Sequence, residues 1–160
     1  MKETIQDRIA RLLKNSGRTL SAAESCTGGQ ISHLITTVSG SSSYYLGSVT
    51  SYAVSVKERV LGVPHRTVAE KGLVSGEVAA AMAEGVRRLT GSTFSVATTG
   101  LAEGADEFGN PEGTVWIAAS GPAGTITRKY HCDLGRKGNI RRFANVALHF
   151  LAAYIEENSK

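Results

Sequence analysis

Ala23-Glu24-Ser25-Cys26-Thr27-Gly28-Gly29 lies between residues 18–23, which read as a short buried strand, and a segment in which Ile31, Leu34, Ile35 and Val38 recur at helical spacing. A strand that gives way to a helix through small hydroxyl, thiol and glycine residues marks the junction at which α/β proteins place ligands. The first turn of a helix has unpaired N–H groups and the positive end of the peptide dipole. Such a junction therefore suits a phosphate, a carboxylate or a tetrahedral oxyanion. Gly28 and Gly29 let a ligand approach the main chain closely.

Outward from this junction, Ile5, Ile9, Leu12 and Leu13 predict an amphipathic first helix that stops near Asn15-Ser16-Gly17. After the second helix, the breaker cluster at 39–43 leads into a strand over 44–52. Ser55 is expected to cap a short helix with Lys57, Val60 and Leu61 that ends at Gly62-Val63-Pro64. Ser75 caps a longer one, with Val78, Met82, Val86 and Leu89 on one face and Gly91 as its stop. A central strand is predicted over 93–98, then a loop over 99–107 of small and acidic residues. The segments 113–120 and 125–134, joined by Gly121-Pro122-Ala123-Gly124, read as a hairpin, and Ile140, Phe143, Ala147, Leu151 and Ile155 as a final helix. This order predicts one domain over residues 1–160, a three-layer α/β/α sandwich with a mixed β-sheet.

A chain of 160 residues fits a single core. No apolar run is long enough to span a bilayer, and residues 1–5 lack the apolar centre of a signal peptide, so a cytoplasmic location is expected. Cys26 and Cys132 lack metal or disulfide spacing. His33, His65, His131 and His149 are scattered, so no metal site is expected. The net charge of +4 favours an anionic small molecule over a nucleic acid, because the basic residues are dispersed and no groove-reading motif is present. The long apolar final helix makes a homo-oligomer an expectation.

Neither a Gly-x-x-x-x-Gly-Lys-Ser/Thr phosphate loop nor a Gly-x-Gly-x-x-Gly fingerprint occurs, which removes support for an ATPase or a dinucleotide oxidoreductase. A serine activated by a lysine remains open, since a lysine with a depressed pKa can act as the base without His or Asp. Ser25 and Lys57 are the residues for it; the plainer reading is a helix-capping serine and a solvated helix lysine. Arg136, Lys137, Arg141 and Arg142 crowd the start of the final helix, where cations oppose the dipole unless an anion joins them.

Together, Ala23-Glu24-Ser25-Cys26-Thr27-Gly28-Gly29, Gly40-Ser41-Ser42 followed by an aromatic, Tyr52 and Lys57, Leu61-Gly62-Val63, Val74-Ser75, and Gly113-Thr114-Val115-Trp116 resemble the C-terminal domain of the CinA competence/damage-inducible family. The resemblance implies a nicotinamide mononucleotide deamidase, an amidohydrolase that needs no metal or cofactor and uses a Ser/Lys dyad. It implies Ser25 or Ser42 as nucleophile, Lys57 as base and Tyr52 beside it. It further implies a substrate shell of Glu24, Cys26, Thr27, Gly28, Gly29, Thr99 and Gly100, with Arg141 for the phosphate. Family members commonly carry Gly-Ile-Ala-Gly-Pro after the central strand, whereas this chain has Gly100-Leu101-Ala102 followed by Glu103, Asp106 and Glu107. The usual Tyr-Ser-Asn is here Tyr52-Ala53-Val54, and the usual Lys-Pro-Val is Asn110-Pro111-Glu112. Carboxylates facing a phosphate would weaken binding, so a catalytically silent or specificity-altered nucleotide-binding paralogue stands beside the deamidase reading.

Overall fold

The computed structural model describes residues 1–159. Its elements run α1 (Ile5–Leu13), β1 (Leu20–Glu24), α2 (Gln30–Thr36), a 3₁₀ turn (Ser41–Ser43), β2 (Tyr45–Thr50), α3 (Val54–Arg59), α4 (His65–Lys71), α5 (Gly76–Thr90), β3 (Phe94–Gly100), β4 (Thr114–Gly121), β5 (Gly124–His131) and α6 (Gly135–Glu157). They form one five-stranded sheet in the order β2-β1-β3-β4-β5. β2, β1 and β3 are parallel, and β4 and β5 complete the sheet antiparallel, so the sheet is mixed as expected.

Alternation along the strands divides the core in two. Leu20 and Ala22 of β1, Phe94 and Val96 of β3, and Val115, Ile117 and Ala119 of β4 pack under α1, α2 and α6. Ala23, Ala97 and Ala118 face the opposite way, toward Val78, Met82 and Val86 of α5 and toward Leu61 and Val63. A period of two on the strands and of 3.6 on the helices thus yields helix, sheet and helix as three layers. The expectation of a three-layer α/β/α sandwich holds.

Some local expectations need correction. α3 starts at Val54 after Ala53, with Ser55 inside it and no side-chain cap, because the Lys57 side chain turns back to the carbonyls just before the helix and fixes that turn from within. β3 runs on to Gly100, because Thr99 and Gly100 still pair with Trp116 and Val115. α4 has no counterpart in the sequence reading. Its seven residues bury no side chain fully, so no apolar period announces it.

β1 leads through α2 to β2 on one side, and the chain returns through α5 to β3 on the other. The strand order therefore reverses between β1 and β3, and a crevice opens beyond their carboxyl ends.

Candidate active site

Three parallel strands deliver their ends to this crevice. Ser25 follows β1, Ser51 and Tyr52 follow β2, and Thr99 and Gly100 close β3. Lys57, on the inner face of α3, is 1% exposed although it is a lysine. Its Nζ lies 2.8 Å from Ser25 Oγ and 3.2 Å from the Tyr52 carbonyl, and it also meets the Ser51 carbonyl. No carboxylate pairs with it among the described residues. Burial lowers its pKa to about 8, with the neighbouring Cys26 acting weakly in the other direction.

This coordination is a count of hydrogens. A neutral amine has two N–H donors and one lone pair. As an ammonium, Lys57 donates to the two carbonyls and to Ser25 Oγ; once it is neutral, the carbonyls take its two donors and the lone pair is left to the Ser25 hydroxyl. The Ser51 carbonyl is itself held in place, since Ser51 donates its N–H to the Glu24 carbonyl at 2.7 Å. The amine is thus oriented by the main chain of the β2–α3 turn rather than by an acidic side chain.

The helix end that the sequence offered to a ligand anion is already filled. Glu24 is fully buried, and its carboxylate accepts from Gly29 N–H at 3.2 Å, Ile31 N–H at 2.9 Å, Ser32 N–H at 3.0 Å and Thr27 Oγ at 2.7 Å. Thr27 in turn meets Thr98 Oγ at 2.9 Å. Gly29, with φ of 107°, is the residue before α2, so Ser25 is not its cap. Glu24, Thr27, Gly28 and Gly29 therefore build the turn that carries Ser25 and do not line the cleft. Gly28 N–H donates back to the Ser25 carbonyl at 3.1 Å, which leaves Cys26 and Thr27 N–H without a main-chain acceptor among the described residues. Burial pushes the Cys26 thiol up to about 12, so it stays protonated and is no competing nucleophile.

Above the dyad lies a cleft of about 700 Å³. Ser25, Cys26, Tyr52, Lys57, Thr99 and Gly100 line it, as do Val68 of α4, Glu103, Asp106, Glu107 and Phe108 of the β3–β4 loop, and Arg136 of α6. Tyr52 is 65% exposed; it holds Lys57 through its carbonyl, while its hydroxyl accepts from Arg136 at 3.3 Å. Thr99 Oγ donates to the Leu73 carbonyl at 2.8 Å and ties α4 to the strand end.

Two further expected residues lie elsewhere. Ser42 is exposed on the 3₁₀ turn before β2, and because β2 is parallel to β1 that turn sits at the amino end of the sheet, beside Leu20. A six-residue strand separates it from Lys57, on the order of 20 Å at about 3.3 Å per residue. Of the two serines, the structure brings only Ser25 to the lysine. Arg141 lines a shallow depression with Gln30 and Leu34, away from the cleft. Arg136 takes its place at the cleft because five residues turn a helix by about 140°. Asn139, buried on α6, fixes that phase by donating to the Ala102 carbonyl at 3.0 Å.

The loop carboxylates differ from one another. Glu103 faces Arg136 at 3.4 Å. Against the cost of burial, hydrogen bonds from the Asn110 side chain and from the Asn110 and Phe108 amides hold the Asp106 carboxyl below its ordinary range, so it organises the loop. Glu107 is exposed on the cleft and makes no hydrogen bond or ion pair among the described residues.

The family model described as CinA C-terminal domain matches residues 2–155. The chain is 42% identical over 153 residues to a putative competence-damage inducible protein of Desulforamulus reducens, covering 93% of this chain and 37% of that protein. It is 48% identical over 147 residues to a CinA-like protein of Geobacter metallireducens, covering 90% and 35%. It thus spans little more than a third of the length of these relatives. Among solved structures it is similar to a CinA superfamily protein of Klebsiella pneumoniae, with a TM-score of 0.91, 27% identity and 96% of each chain covered. It is also similar to a competence/damage inducible protein of Agrobacterium tumefaciens, with a TM-score of 0.86, 30% identity, and 96% of this chain and 98% of that one covered.

Proposed function

Since this chain belongs to the CinA C-terminal domain family, we propose that it is an amidohydrolase, and that it converts nicotinamide mononucleotide to nicotinic acid mononucleotide and ammonia through Ser25 and Lys57. The observation that carries this reading is the buried lysine, paired with no carboxylate among the described residues, whose Nζ lies 2.8 Å from a serine oxygen. Lys57, neutral, takes the Ser25 proton as Oγ attacks the carboxamide carbon. The oxyanion that forms is met by the N–H group of Cys26, which lines the cleft beside Ser25. The lysine ammonium then protonates the departing nitrogen, ammonia leaves, and an ester on Ser25 remains. Water, deprotonated by Lys57, cleaves the ester and releases the carboxylate. Arg136, the guanidinium on the cleft, takes the substrate phosphate in place of the expected Arg141.

Ammonia release from nicotinamide mononucleotide tests the reading. The native chain is expected to turn over, and Ser25→Ala to lose about 10³-fold or more in rate. A native chain that releases no ammonia, or a Ser25→Ala variant with the native rate, overturns it. A second reading, a nucleotide binder without turnover, has one observation in its favour, the carboxylates of Glu103 and Glu107 on the cleft. Its signature is thermal stabilisation by the nucleotide without ammonia.

A further inference from the structure

The acidic loop is unfavourable for a phosphate, yet it lines the cleft that contains the dyad. The conflict disappears when the carboxylates are sorted by what they already bind. Glu103 is engaged with Arg136 and Asp106 with its own loop, which leaves Glu107 as the cleft carboxylate without a partner among the described residues. Next to it, Phe108 leaves 48% of its surface exposed on the same wall. The ring is seated against Gly72, at the end of α4, where a Cβ would come within 2.7 Å of Phe108 Cδ2. Gly72 also has φ of 82°, a conformation that glycine adopts without strain. An aromatic side chain held against the backbone beside an unpaired carboxylate fits a flat ring that carries a positive charge. The ring face contributes through its quadrupole and the carboxylate through Coulomb attraction.

We propose that Phe108 and Glu107 form a subsite for the cationic ring of the substrate, making this cleft selective for an N-substituted pyridinium carboxamide over a neutral carboxamide of the same shape. The inference rests on the deamidase reading for its choice of ring. It divides the substrate between two walls, with the phosphate at Arg136 and the pyridinium at the loop, so that the loop carboxylates aid binding. It also acts on the product, since hydrolysis places a second anion, the new carboxylate, in a cleft that already holds Glu107.

The test compares nicotinamide mononucleotide with its 1,4-dihydro form, which keeps the phosphate, ribose and carboxamide but has an uncharged ring. Binding is measured by calorimetry in a Ser25→Ala background, so that no ligand is consumed. The cationic form is expected to bind about tenfold more tightly, and Phe108→Leu and Glu107→Gln are each expected to cut that preference by about three- to fivefold while leaving affinity for the dihydro form unchanged. Leucine keeps an apolar contact on Gly72 and removes the π face. Equal binding of the two forms, or a preference that survives both substitutions, overturns the subsite. If the native chain still releases ammonia, that failure leaves the deamidase reading intact. Failure of both forms to bind overturns the subsite, and an ammonia-free native chain then overturns the function as well.

Discussion

The floor and the rim of the cleft are built by opposite means. On the floor, Ser25, Lys57 and Glu24 are buried, and nearly every polar atom is met by the main chain. On the rim, Tyr52, Glu103, Glu107, Phe108 and Arg136 are exposed side chains with few or weak bonds. The floor's geometry is set by strand register and helix phase, so substitutions elsewhere leave it unchanged. The rim presents exposed side chains, so ligand preference can change there without disturbing the contact of Ser25 with Lys57.

The widest separation of floor from rim is expected for Lys57→Met, with loss of about 10³-fold or more in ammonia release and a retained fold, read by turnover and circular dichroism. In the native chain the rate is expected to rise with pH and level off above about 8, because below that value the ammonium form has no lone pair. The same ionisation acts on stability. Lys57 has a lower pKa folded than unfolded, so its contribution is fully present above the unfolded value near about 10.4 and is lost as pH falls to about 8. The lysine therefore disfavours the fold at neutral pH by roughly 3 kcal/mol relative to high pH. Denaturant unfolding of Lys57→Met should accordingly lack this pH dependence between about 8 and 10.4. A native chain whose stability is flat across that window would contradict a lysine whose pKa burial has lowered.

A substitution that reaches the floor without touching the cleft comes next. Glu24→Ala strips the acceptor from the Gly29 amide, from two α2 amides and from Thr27, and is expected to cost on the order of 3–5 kcal/mol in chemical denaturation. Unaltered stability would show that the helix end finds other acceptors.

The smallest effect is predicted for Ser42→Ala, with rate and Km within about twofold of native, because an exposed serine at the amino end of β2 touches neither region. A large loss of rate there would return Ser42 to the list of nucleophiles and break the assignment of Ser25.

What the sequence made legible follows the same division. Apolar periods on α1, α5 and α6, the hairpin of β4 and β5, and the Ser25 junction were readable because each rests on local pattern, and the CinA resemblance extended over nearly the whole chain. The α4 wall was not readable, since HRTVAEK has no buried face. Arg136 and Arg141 belong to one basic run, and only the contact of Asn139 with Ala102 tells which of them reaches the cleft. Glu24 entered the expected substrate shell through the family resemblance, and a motif does not tell whether a carboxylate meets substrate or the amides of its own helix. For Lys57, no residue type signals that two backbone carbonyls will converge on its amine.

α4 is a strap fastened at both ends and loose between them. Before it, Leu61 and Val63 are buried, and after it the carbonyls of Gly72, Leu73 and Val74 accept from Ser75, Thr99 and Asn110. Its own side chains anchor little, so its amides are expected to exchange with deuterium long before those of α5 or β3, through openings that leave the sheet intact. Opening of this one cleft wall therefore costs little free energy, and a bound nucleotide would register first as slowed exchange along residues 65–71.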